Sequence, residues 1–197
     1  MLGYLTQISI NDSVVESKKL QNIYNVHKAL WEAFSDTAAR NHIYTFKTDH
    51  ILMLSQEKPK PVAWGNWITK EIPDSFLNST LYYFEITFNP VFRKVQFDEH
   101  GNRKKNGKKI PIKNISALTA WIKSKGHQGG FSFDDIHISN LDCVLFQKKE
   151  HSTNLYRVVV TGSLRVTDKE QFTKSFISGI GPSRAFGFGM LLLKPYN

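Results

Sequence analysis

The chain has 197 residues, 41% hydrophobic and 22% charged, which excludes a disordered polymer and leaves room for one large domain or two small ones. Lys and Arg number 26 against 17 Asp and Glu, and the net charge of +9 suits a polyanionic partner such as nucleic acid. No run of about 18 apolar residues is available to cross a membrane, MLGYLTQISINDS lacks the basic and apolar regions of a secretory signal, and Cys143, the lone cysteine, can build neither an intrachain disulfide nor a cysteine metal cluster; a cytoplasmic location is expected.

Tyr4 to Ile10, YLTQISI, alternates apolar and polar side chains as a half-buried strand does. Asn11 to Lys19 is polar and reads as a loop. A helix is expected from Ile23 to Phe34, with Asn22 as its N-cap. Two short strands, Ile43 to Phe46 and Ile51 to Ser55, flank Thr48-Asp49-His50, and Lys58-Pro59-Lys60-Pro61 breaks the pattern. Val62 to Ile72 reads as a short turn of helix followed by a strand. A second round begins with LYYFEITF, Leu81 to Phe88, a strong strand interrupted by Asn89-Pro90. Phe97 to Lys109 is a basic, glycine-containing loop. Ser116 to Lys125 fits a helix with Leu118, Trp121 and Ile122 on one side, and Phe131 to Phe146 holds strand-like stretches. YRVVVTGSLRV, Tyr156 to Val166, alternates most clearly; Thr167 or Asp168 then caps a helix reaching Ser178, and Met190 to Leu193 is a last strand. The β-α-β-β-α-β order occurs twice without sequence repetition. This predicts an α+β chain of two tandem ferredoxin-like (RRM-like) domains, 1–75 and 79–197. RNA-recognition modules share that framework, but no clean copy of their aromatic signature is present.

Gly179 to Gly189, GIGPSRAFGFG, packs four glycines into eleven residues. It follows a helix and leads into a strand, the reverse of a dinucleotide-binding fingerprint, and it lacks the GK[ST] ending of a P-loop. The residues alone leave two readings: a tight connection, or a backbone that approaches phosphate closely with Arg184 adding a charge-assisted bond.

That segment, followed by MLLL, resembles the C-terminal glycine-rich motif of the CasE family of CRISPR-associated endoribonucleases. Tyr24 to Phe34, YNVHKALWEAF, resembles the family's first helix. Asn89-Pro90, Lys109-Ile110-Pro111, Ala120-Trp121-Ile122 and Gly130-Phe131-Ser132 follow in the expected order. The resemblance implies cleavage of CRISPR repeat RNA at its stem-loop without a metal or other cofactor. The RNA's 2′-hydroxyl would attack the adjacent phosphate, leaving a 2′,3′-cyclic phosphate and a 5′-hydroxyl. It also implies retention of the hairpin and assembly with the other Cascade subunits. His27 would carry the proton transfer, since imidazole titrates near neutrality, with Tyr24 positioning and Lys28 supplying charge.

If the helix begins after Asn22, its core is Val26, Leu30, Ala33 and Phe34, and His27 lies at the edge of that stripe. If it begins earlier, Leu20, Ile23, Leu30 and Phe34 surround the imidazole and bury it. Glu32 departs from the pattern, because some relatives carry a basic residue there. The expected RNA contacts are Arg103, Lys104, Lys105, Lys108 and Lys109, the pair Lys148 and Lys149 at a hairpin tip, and Gly179, Gly181, Ser183 and Arg184 near the cut. No metal-ligand spacing is found among the remaining histidines, and Asp134 and Asp135 read as surface acids. Two alternatives remain: an RNA-binding module of this fold without catalysis, and an unrelated basic scaffold.

Overall fold

The structure is a computed structural model describing residues 1–35, 41–105, 107–148 and 151–196, without the side chain of His151. The expected Lys149 contact lies outside the described residues.

The first half forms an antiparallel sheet in the order β2-β3-β1-β4, from β1 (Gly3–Ser9), β2 (His42–Phe46), β3 (His50–Ser55) and β4 (Asn66–Ile72). Asn11 to Lys19 is not all loop. Helix α1 (Asp12–Ser17) starts there because Asn11 Oδ1 accepts from Val14 N at 3.0 Å, an N-cap that the polar composition obscured. Helix α2 (Ile23–Trp31) begins after Asn22, whose side chain accepts from Tyr24 N at 3.1 Å. Among the described residues no helix lies between β3 and β4, correcting the turn expected at Val62. Pro59 and Pro61 lack the N–H and the preceding-residue geometry that a helix needs. Trp64 of this segment is buried instead, in the same cluster beneath α2 as Ile8, Ala29 and Phe34.

Residues 73–80 lead to the second half and include a 3-10 turn at Asp74–Leu77. The second sheet runs β11-β5-β10-β8, from β5 (Leu81–Phe88), β8 (Phe131–Ile138), β10 (His151–Val166) and β11 (Leu191–Pro195). Both sheets thus have the ferredoxin-like strand order, and the fold is two such units in tandem. Helices α3 (Ile115–Gln128) and α4 (Lys169–Ser178) cover one face of the second sheet; Asp168 caps α4 as the sequence indicated. Two additions extend beyond this unit. The ribbon β6 (Val91–Lys94) with β7 (Lys108–Pro111) flanks the expected basic loop and takes its last two residues, Lys108 and Lys109, into a strand, and β9 (Asp142–Lys148) pairs with the start of β10.

Tyr82, Phe84, Ile86 and Phe88 alternate along β5 toward Ile122, Phe172 and Phe176, all in one buried cluster. Ile43, Leu54 and Ile72 of the first half belong to the same cluster, so the first sheet is covered by α2 on one face and by the second half on the other. Burial on both faces explains why β2 and β3 show little alternation. Val26 and Leu30 of α2 are fully buried, each contributing about 1.5–3 kcal/mol. Among the described residues no helix is long and apolar enough to cross a membrane.

Candidate functional site

The N-terminus of α2 is joined to the end of β9 by one side chain. Asn22 Nδ2 donates to Gln147 O at 2.7 Å, and Gln147 N donates to Asn22 Oδ1 at 3.2 Å. The side-chain amide thereby acts as a short strand partner while also capping the helix. Asn22→Ala should lower stability by about 1–2 kcal/mol, since it removes a cap and leaves two polar groups to find water. Denaturant unfolding would measure this, and an unchanged midpoint would show the clasp to be inconsequential.

With β9 held there, side chains from three distant segments meet. The Tyr24 ring lies 5.7 Å from Phe146, edge-on, and Lys148 Nζ lies 5.4 Å from the Tyr24 centroid. His27 packs edge-on against Phe186, with ring centroids 5.4 Å apart, and Phe146 meets Phe186 at 4.8 Å. Trp31 Nε1–H donates to His27 Nε2 at 3.3 Å. An indole N–H can only donate, so Nε2 is the acceptor in this contact. Because α2 starts after Asn22, the imidazole sits at the margin of the buried stripe, half-buried rather than sealed.

Phe186 is brought to His27 by the glycine-rich segment. Ile180 N donates to Gly189 O at 2.8 Å, and Gly189 N donates to Thr87 O at 2.7 Å. These bonds clasp the two ends of the segment onto β5, and a 3-10 turn at Arg184–Phe186 projects between them. A Cβ on Gly189, where φ is +79°, would come within 2.2 Å of Ile180 O. Only glycine fits that approach. Gly179 is buried in the clasp. Arg184 Nη1 donates to Ser178 O at 3.0 Å and Gly179 O at 3.3 Å, capping the last turn of α4. Buried Asn89 donates to Ser183 Oγ at 2.8 Å, so the Asn89-Pro90 end of β5 fixes the loop from below.

The expected cationic residues fall into separate groups. Gly181, Ser183, Arg184 and Lys109 line one open cavity of about 590 Å³, joined by Arg93, Lys125 and Trp121, which sequence reasoning missed. Lys108 and Lys109 stand on the ribbon directly opposite Lys94 and Arg93. Like charges in cross-strand pairs destabilise a ribbon unless an anion neutralises them. The signal for Arg93 and Lys94 was available in the segment after Asn89-Pro90, but only strand pairing puts them opposite the known cluster. Arg103, Lys104 and Lys105 are exposed farther along that excursion, near the exposed ring of Phe97. Lys148 lies with Tyr24 instead. Lys28 is exposed on another flank of α2, in a depression with Lys18, Asn25 and Glu32. Glu32 accepts from Lys18 Nζ at 3.1 Å and from Trp64 Nε1 at 3.2 Å, so its carboxylate is engaged within the protein surface. Asp134 pairs with Arg165 at 3.2 Å on the surface.

The model of the CRISPR associated protein family matches residues 3–195. The "CRISPR system Cascade subunit CasE" of Escherichia coli K12 is 24% identical over 188 residues, covering 89% of this chain and 93% of that protein. The crystal structure of the CRISPR-associated protein Cas6e from Escherichia coli K-12 superposes with a TM-score of 0.79 at 22% identity, covering 98% of this chain and all (100%) of the other. Thermus thermophilus Cse3, bound to an RNA representing a pre-cleavage complex, gives a TM-score of 0.79 at 18% identity, with 98% of each chain covered. With that family pattern running almost from end to end, and the same tandem fold in these structures, the chain belongs to the CRISPR-associated protein family, alongside the Cascade subunit CasE.

Proposed function

We propose that this chain is an endoribonuclease that cleaves CRISPR repeat RNA beside its stem-loop, retains the hairpin product, and joins the other Cascade subunits. The observation that carries this reading is the half-buried His27 at the meeting point of α2, β9 and the glycine-rich segment, with Tyr24 and Lys148 on the same junction. The relatives described as an endoribonuclease, as RNA-bound and as a Cascade subunit support it. We take 1–75 and 79–197 as the two domains, with the catalytic helix on the first and the basic ribbon and glycine segment on the second.

His27 Nε2 is the acceptor nitrogen, and an RNA 2′-hydroxyl replaces the Trp31 indole as its hydrogen-bond donor. Transfer of that proton to the imidazole lets the 2′-oxygen attack the adjacent phosphorus. The bond to the 5′-oxygen breaks, and the imidazolium of His27 passes the proton to that oxygen through water, which restores the neutral imidazole. Tyr24 orients the ribose-phosphate junction. Lys148 supplies positive charge for the phosphorane from the Tyr24 side, and Lys28 adds charge from the neighbouring flank. Arg93, Lys109, Lys125 and the loop around Ser183 and Arg184 hold the stem phosphates, together with Arg103, Lys104, Lys105 and Lys108 along the ribbon.

No step of this chemistry needs a metal. Cleavage of repeat RNA should therefore proceed at the same rate in excess EDTA and stop when the cleaved nucleotide is 2′-deoxy. The products should carry a 2′,3′-cyclic phosphate and a 5′-hydroxyl. A 2′-deoxy RNA that is still cut, or loss of cutting in EDTA that magnesium restores, refutes the mechanism.

A further inference from the structure

A second cavity adjoins the site, past Phe186 from His27. Its volume is about 310 Å³, at the lower end of the roughly 300–1,000 Å³ typical of ligand sites. It suits one small planar group rather than a length of strand. It lies between β2 and the helix-free face of the second sheet. Ile23, Phe186 and Val159 are among its apolar lining residues, and Thr45, Thr87 and Glu85 among its polar ones. Ile23 precedes His27 by one helical turn, about 6 Å along the axis, a spacing comparable to one nucleotide step. Phe186 is a shared partition, packed on His27 and also facing the cavity. Gly187 keeps that partition close to β2: a Cβ there would stand 2.7 Å from the Phe46 ring.

The wall chemistry selects among the parts of an RNA. A phosphate would face the Glu85 carboxylate and lose its hydration to apolar surface. A nucleobase would place its faces against apolar lining such as Phe186 and its edge toward the hydroxyls and the Glu85 carboxylate. Lys47 Nζ donates to Glu85 Oε1 at 2.6 Å, which fixes the carboxylate and keeps Oε2 as an acceptor. Arg157, at the rim, is bound by Asp142 at 2.6 Å, and this hydrogen bond holds its pKa above the ordinary guanidinium value. An exocyclic amino group on adenine, cytosine or guanine matches a fixed carboxylate. Uracil offers one N–H between two carbonyl oxygens, which a carboxylate repels.

We propose that this cavity is a subsite for one unpaired nucleobase, that of a nucleotide adjoining the cleaved bond, and that Glu85 favours a base bearing an exocyclic amino group over uracil. The proposal rests on the RNA-processing reading above.

The test uses the full chain and repeat-hairpin RNA with 2′-deoxy at the cleaved nucleotide, so that binding is measured without cleavage. Abasic substitutions are placed in turn at the unpaired nucleotides on either side of the cut. One position should weaken binding by the parent protein about ten-fold, as expected for loss of one base contact. Thr87→Trp, which fills the cavity, should weaken binding of intact RNA similarly and add no further loss for that abasic RNA. Thermal unfolding checks that this variant folds. If it does not, Glu85→Gln decides, because it should erase the preference for an amino-bearing base over uracil at the same position. Penalties that add independently, no sensitive abasic position, or base preference unchanged in Glu85→Gln would overturn the subsite. A Thr87→Trp chain that binds every RNA like the parent, as expected if a protein segment occupies the cavity, would also overturn it. Separately, parent cleavage of all-ribose RNA that disappears in His27→Ala upholds the underlying reading whichever way the binding data fall.

Discussion

Replacing His27 with alanine should slow single-turnover cleavage by about 10²–10⁴-fold, the range by which one positioned proton-transfer group accelerates a reaction. Affinity for a non-cleavable 2′-deoxy hairpin should stay within about two-fold, because that RNA lacks the hydroxyl His27 accepts from and the phosphate contacts that dominate affinity lie elsewhere. The contrast follows from the site's division of labour. Arg93, Lys109, Lys125 and the ribbon lysines meet phosphates, whereas His27 is surrounded by Phe186, Trp31 and the α2 helix. Labelled repeat RNA followed over time, with affinity measured on 2′-deoxy RNA, separates the two quantities. Parental cutting by His27→Ala would remove the imidazole from the chemistry. Equal loss of cutting and binding would make it a recognition residue.

Gly189→Ala should lower stability by about 3 kcal/mol, the sum of a left-handed backbone conformation and a collision with Ile180 O. For a chain of this size that corresponds to a fall in Tm of roughly 6–12 °C. The clasp through Ile180, Gly189 and Thr87 also sets where Phe186 meets His27. Cleavage measured well below the new Tm should therefore fall as well, by up to about 10²-fold, since a displacement of roughly 1 Å at a reacting group costs that much. Gly101→Ala is the control. Gly101 has the same positive φ of +79°, but a Cβ there meets nothing within 4 Å. It should lose only the backbone component, about 1 kcal/mol. Equal losses in the two variants would show that φ alone, not the close approach, makes Gly189 necessary.

The legible parts of this sequence are those whose physics is local. Leu81–Phe88 was readable because Tyr82, Phe84, Ile86 and Phe88 face the core while Leu81, Tyr83 and Glu85 between them are more exposed. The starts of α2 and α4 were readable because Asn22 and Asp168 bond to amides two or three residues onward. Where local signals conflict, the reading failed. Asn11 caps a helix inside a polar stretch, and the prolines before Trp64 leave a ferredoxin-like unit without its second helix.

The sequence by itself determined most of the sheet strands, the helices α2, α3 and α4, the charge that calls for a polyanion, and a histidine one turn into a capped helix. Only the tertiary structure decided which surface that histidine shares. Asn22 and Gln147 are 125 residues apart, and Phe186 reaches His27 from near the other end of the chain. Capping and alternation are settled by neighbours within a few residues. A contact between distant segments is settled by the burial of a whole core, whose long-range packing no local pattern records.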